Sequence, residues 1–143
     1  MKIITFLIVI PIALLWSCQQ DNHTKYTGKF QLLMIDFFDA VQTKNINKLK
    51  SLTTTDFVLY EHGKILNYDS MVNLIKGFPN LRAGHELGDF NVDNDDNIAN
   101  MTYINHYIVY DSTQVTTDFL ESAGFRNEQG YWKIRFIHSS ERK

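Results

Sequence analysis

Two acidic residues stand where a carboxylate could do chemistry. Glu61 ends the strand-like run Asp56-Phe57-Val58-Leu59-Tyr60, just before a turn at His62-Gly63-Lys64. Glu121 interrupts an alternation in which Phe119, Ala123 and Phe125 share its face, the face expected to turn inward. A carboxyl group in an apolar pocket is raised in pKa and can move a proton near neutral pH. Each residue also has a plainer reading. Glu61 would be a solvated acid beside a turn, and Glu121 one half of a salt bridge with Arg126 or Arg135. His138, placed on the face of Trp132, and His106, inside a long strand, could serve as acid, base or ligand-orienting donor. A lone strand histidine is more often a structural hydrogen-bonding residue. The catalytic candidates are therefore Glu61, Glu121 and His138.

Other chemistries find no support in the residues. The histidines do not fall at short ligand spacing and Cys18 is the only cysteine, so no metal site is expected. There is no Gly-x-Ser-x-Gly elbow, no Walker loop and no cysteine nucleophile in the body of the chain, and no cofactor is expected. The formal net charge is −2 and no basic run occurs, which argues against nucleic acid as a partner.

The elements that would position these residues follow from periodicity. Phe30, Leu33, Met34, Phe37, Phe38 and Val41 make one face of a long amphipathic helix. Ile46, Leu49 and Leu52 continue as a short second helix after a break at Lys44-Asn45. Residues 56–60 read as a strand with a short return at Ile65-Leu66. Asn67 can cap a third helix with Met71, Leu74, Ile75 and Phe78 on its apolar face, closed by Gly77 and Pro79. Strands are expected at 83–93, 97–110, 114–127 and 130–139, separated by Asp-, Asn- and Ser-rich turns. On the last of these, Trp132, Ile134, Phe136 and His138 are expected to share a face. Helices followed by strands, without βαβ alternation, mean an α+β domain. The sheet should curve around the first helix and leave a partly apolar pocket. Phe37, Tyr60, His106, Phe119 and Trp132 are the expected pocket-lining residues.

In order and spacing these segments resemble the nuclear transport factor 2-like superfamily, in its SnoaL-like branch. Three stretches carry the likeness. They are the long helix running into Lys44-Asn45-Ile46-Asn47-Lys48-Leu49, the segment from Asp56 to Lys64 with the helix after it, and the closing hairpin from Phe119 to Ser140. The resemblance covers about residues 28–140 and implies a cone-shaped, curved antiparallel sheet wrapped around the long N-terminal helix, with a cystatin-like topology. It implies a pocket at the open end, and a homodimer through the open sheet face is compatible with it. The family contains isomerases, cyclases, dehydratases and hydrolases beside members without demonstrated activity. In the isomerase branch the general base is a carboxylate at the end of the first strand, where Glu61 falls. A carboxylic acid donating to the oxyanion lies on the strand that here carries Glu121. The tyrosine that branch needs on its first helix is replaced by Phe37-Phe38, and one missing oxyanion donor costs roughly 10²–10³ in rate. The expectation is therefore a domain that binds a small apolar ligand or a protein partner without catalysis. The alternative is a SnoaL-like enzyme working by acid–base chemistry on a small hydrophobic substrate.

The N-terminus carries a second resemblance. Lys2 is followed by about 13 almost wholly apolar residues ending in Leu15-Trp16-Ser17-Cys18. That run is too short to span a bilayer comfortably, which takes about 20 residues, but it suits a secretory signal. The ending resembles the lipobox of bacterial lipoproteins. This implies a signal peptide at 1–17, a lipidated Cys18 and polar tether at 18–27, and a single domain at 28–143. The membrane would be a partner through the lipid anchor. Gln19, in place of Asp, resembles outer-membrane sorting, so the expected location is the outer membrane, periplasmic or surface-facing.

Overall fold

The computed structural model describes residues 23–80, 82–110 and 113–143. Cys18 and the segment before it lie outside the described residues.

The first helix, α1 (His23–Gln42), buries Phe30, Met34, Phe37 and Ala40 along one face. It begins at His23, inside the stretch expected to be a tether. Lys44, with φ of 54°, turns the chain into α2 (Ile46–Leu52). Asn45 caps that helix by accepting from Lys48 N at 3.0 Å. Strand β1 (Thr53–Glu61) turns through His62 and Gly63, both at positive φ, into β2 (Lys64–Asn67). Asn67 then caps α3 (Tyr68–Gly77), its side chain accepting from Ser70 N at 2.9 Å. Four long strands follow: β3 (Ala83–Asn94), β4 (Ile98–Tyr110), β5 (Gln114–Glu128) and β6 (Tyr131–Glu141).

The strands form one curved, unclosed sheet in the order β2-β1-β6-β5-β4-β3. The architecture is the expected α+β arrangement of a sheet around a long helix, with one correction. The β1–β6 pair is parallel, so the sheet is mixed. Parallel neighbours need a long crossover, and here α3 and the four strands β2, β3, β4 and β5 supply it.

Two irregularities decide which side chains face inward. In β6, Ile134 pairs with Phe125 and Phe136 with Gly124, leaving Arg135 as an extra residue. Before this bulge Trp132 and Ile134 are buried, whereas after it Ile137 is buried and His138 exposed. The expected shared face of Trp132, Ile134, Phe136 and His138 is thus broken at Arg135. The ring of Phe136 crosses Gly124 so closely that a Cβ there would lie 2.2 Å from its Cε1. In β3 the register shifts between Gly88 and Asn91, opposite Tyr103, with Asp89 at φ 53°.

One end of the interior is filled. Phe30 meets Phe125 at 4.8 Å and Trp132 edge-on at 4.9 Å, and Lys29 Nζ lies 5.3 Å from the Trp132 ring. The other end is left open.

Candidate functional site

At that open end a cavity of about 540 Å³ lies between the C-terminal half of α1, α3, the β1–β2 hairpin and the inner face of the sheet. Phe37, Phe38, Leu59, Met71, Leu74 and Ile137 make much of its wall. Polar groups converge on the sheet side. Strand pairing sets Glu61 opposite Ser139, Ser139 opposite Glu121, and Glu121 opposite Tyr103. The four therefore form one inward row across β1, β6, β5 and β4.

Glu121 is the centre of this row and is 5% exposed. Its Oε1 accepts from Asn105 Nδ2 at 3.1 Å and from Ser139 Oγ at 3.0 Å. Among the described residues, neither Glu121 Oε2 nor the hydroxyl of Tyr103 has a hydrogen-bond partner. The two groups are near enough to influence each other's titration, but their geometry falls short of a hydrogen bond. Burial pushes the Glu121 carboxyl up, against three polar neighbours that pull it down, and the Glu61 charge adds to the rise. Burial likewise raises Tyr103 well above the usual phenol range, with Glu121 contributing.

A histidine joins the network from β3. His85 Nδ1 lies 3.2 Å from Asn105 Oδ1. Its ring stacks on Phe38 at 4.3 Å and tilts against Tyr107 at 5.1 Å. Burial holds its pKa below the ordinary histidine value, opposed by the Asn105 hydrogen bond and the Asp39 charge. At neutral pH His85 is thus a neutral ring. At the mouth, Lys44 Nζ donates to Phe78 O at 3.0 Å and also to Pro79 O, tying the α1–α2 turn to the end of α3.

Glu61, Glu121, Phe37 and Phe119 all line the cavity. Glu61 stands nearer the rim, with His62 Nδ1 at 3.7 Å. The other expected residues lie elsewhere. His138 is on the outer face, edge-on to Tyr60 at 6.3 Å, because the Arg135 bulge has reversed the alternation. Tyr60 is outward because its neighbours Leu59 and Glu61 face in. His106 is outward for the same reason, between Asn105 and Tyr107, and contacts Asp118 at 2.6 Å. Trp132 belongs to the closed end of the core. Arg126 pairs with Asp56 and Glu128, so it is not the partner of Glu121.

Asn105 and Ser139 were not among the expected site residues, nor was His85 expected as one. Period two alone marks Tyr103, Asn105 and Tyr107 as one face of β4, and an Asn within an apolar strand is itself a sign of a satisfied polar network. Among the described residues, no group of three or more His, Cys, Asp or Glu could hold a metal ion. No helix among them is long and apolar enough to cross a membrane.

No family model matches this chain, and no curated protein matches it significantly. Solved structures do resemble it. An NTF2-like protein from Cytophaga hutchinsonii superposes with a TM-score of 0.70 at 10% identity, covering 80% of this chain and 97% of that one. The association domain of CaMKII from C. elegans gives 0.72 at 18% identity, over 84% and 98% of the two chains. A candidate dehydratase of the NTF2-like family from Streptomyces avermitilis gives 0.73 at 16% identity, over 84% and 98%. At these identities the likeness establishes the NTF2-like fold.

Proposed function

We propose that this chain is a bacterial envelope lipoprotein, held in the outer membrane through an acylated Cys18, whose SnoaL-like domain binds a small, mostly apolar molecule in the cavity between helices and sheet. The observation that carries the binding reading is the cavity of about 540 Å³ itself, with a largely apolar wall on which Glu61, His85, Asn105, Glu121 and Ser139 converge from the sheet side. An apolar pocket with a few convergent polar groups is the usual make-up of a small-molecule site.

Acid–base catalysis is the second reading. Glu61 and Glu121 stand in one inward row at one cavity, as a base and an acid would. His138 has no part in it. Phe37 and Phe38 bring no hydroxyl, and that of Tyr103 is buried and off the cavity wall. The CaMKII association domain has the same fold, and a homodimer through the outer sheet face remains part of the proposal.

Native mass spectrometry of the protein purified from its own host's membranes tests the binding reading. A bound small molecule, released on denaturation and lost in Glu121→Leu, is the expected result. A wild-type protein that emerges empty and gains no mass when incubated with a host lipid and metabolite extract would sink it. Turnover of a bound molecule that stops in both Glu61→Gln and Glu121→Gln would favour the enzyme. For the anchor, Cys18→Ala should move the protein from the membrane to the soluble fraction.

A further inference from the structure

Cys18 and the cavity lie beyond opposite ends of α1, and the chain that joins Cys18 to this helix is short. Two turns into α1, Phe30 packs on Phe125 and Trp132 at the closed end of the interior. Two hairpin turns finish that end. Asn127, just before the β5–β6 turn, donates from its backbone N–H to Asn97 O at 2.8 Å and from Nδ2 to Asp96 O at 3.0 Å. These bonds tie the β5–β6 turn to the β3–β4 turn. Tyr131 and Ile98 stand beside the two turns and are 74% and 51% exposed. From α1 the cavity takes Phe37, Phe38, Val41 and Gln42, all in the last two turns, and Lys44 and Phe78 mark the mouth just beyond them.

The chemistry of the rim alone would favour a mouth pressed onto the membrane. Leu74 and Phe78 line the cavity yet are 44% and 55% exposed, with Lys44 and Lys64 on the same wall. An apolar lip with cations beside it suits a lipid surface. Chain length decides against that arrangement. From Cys18 to His23 the backbone reaches about 18 Å when fully extended. The 20 residues of α1 span about 30 Å from His23 to the mouth. With the mouth on the bilayer, His23 would stand about 30 Å above it, out of reach of a Cys18 whose acyl chains lie in that bilayer.

We propose that the closed end, with its two tied hairpin turns, faces the membrane that holds the acylated Cys18, and that the cavity opens away from it onto the aqueous compartment. This rests on the lipid anchor proposed above. Tyr131 and Ile98 are then turned toward the headgroups, and Leu74 and Phe78 away from them. A ligand enters from water, past that apolar lip, rather than rising out of the bilayer.

Energy transfer to a dye on the lipid headgroups measures the orientation. Cys18 is the only cysteine and its thiol is used by the anchor, so an introduced cysteine is the one thiol open to a maleimide donor. The full acylated chain is labelled as Gln129→Cys, at the β5–β6 turn, or as Asn80→Cys, beside the mouth. It is then reconstituted into phosphatidylcholine vesicles carrying rhodamine-labelled phosphatidylethanolamine. The donor at position 129 should approach the headgroups about 20 Å closer than the donor at position 80, and so transfer more efficiently. Equal approach, as from a domain lying on its side, or closer approach at position 80 would overturn the proposal. Asp96→Cys and Lys76→Cys mark the same two ends and decide the order if a first variant does not fold.

The unsubstituted protein separates this inference from the reading beneath it. It should take no label and should sediment with the vesicles. Labelling at Cys18, or protein left in the supernatant, removes the anchor and this inference with it. A protein that sediments unlabelled, but whose variants place the mouth nearer the headgroups, overturns the orientation alone.

Discussion

Two carboxylates on opposite faces of the same sheet behave in opposite ways. On the outer face, half-exposed Asp56 receives a two-pronged hydrogen bond from Arg126, at 2.7 and 3.0 Å, and Arg126 also reaches Glu128. That guanidinium holds the Asp56 carboxyl down at about 2. On the inner face, Glu121 has no cation beside it among the described residues. It keeps one oxygen bonded and one oxygen free, and burial pushes its pKa up. The first cluster is complete without any other molecule, and exposed ion pairs of its kind contribute little to stability. The second is incomplete and buried, which is costly for the fold. A carboxylate that looks catalytic in sequence is thus told from a structural one by what is left over once its neighbours are counted.

The sharpest way to break this contrast is to remove one neutral residue from the inner cluster. Asn105→Leu leaves Glu121 and His85 each short of a partner, and should cost about 3 kcal/mol in urea denaturation. A loss no larger than that of an exposed ion pair would erase the distinction. Glu121→Gln comes next. Its amide can keep the bonds made at Oε1 and present an N–H where Oε2 stands, so at low pH its stability should lie within about 1.5 kcal/mol of wild type. A raised carboxyl contributes stability that is present below the ordinary 4.5 and lost as pH rises through the elevated value. The fall in wild-type stability above that pH should therefore flatten in the variant. His85 works in the other direction. Its lowered pKa contributes stability above the ordinary 6.5 that is lost as pH falls through the depressed value.

Arg126→Met, on the outer face, should have the smallest effect on stability at neutral pH, because exposed ion pairs contribute little. Asp56 has a depressed pKa, so the pair's contribution is present above the ordinary 3.8 and disappears as pH falls toward about 2. In the variant that acid-limb loss should be absent, read as a shallower drop in melting temperature between those two pH values.

Much of the site could be read along single strands, and some of the misplacements could have been avoided there. Tyr60 and Glu61 are adjacent on β1, so only one of them can face the cavity, and the same holds for His106 beside Asn105 and Tyr107. Glu121 was legible because Phe119, Ala123 and Phe125 alternate with it on the same strand face. His138 was not. Nothing about Arg135 marks it as an extra residue, and the bulge becomes visible only where β6 pairs with β5.

The amino-acid sequence by itself determined the helices with the Asn67 cap of the third, the strand boundaries to within a few residues, and the inward face of β5. These depend on periodicity and on side chains within a few positions of the backbone they serve. Only the tertiary structure decided the parallel pairing of β1 with β6, the reversal at Arg135, and the row that joins Glu61, Ser139, Glu121 and Tyr103. Those residues are distant in the chain. Their alignment depends on register, which is chosen by how the whole sheet packs against α1 and α3 and by no local preference.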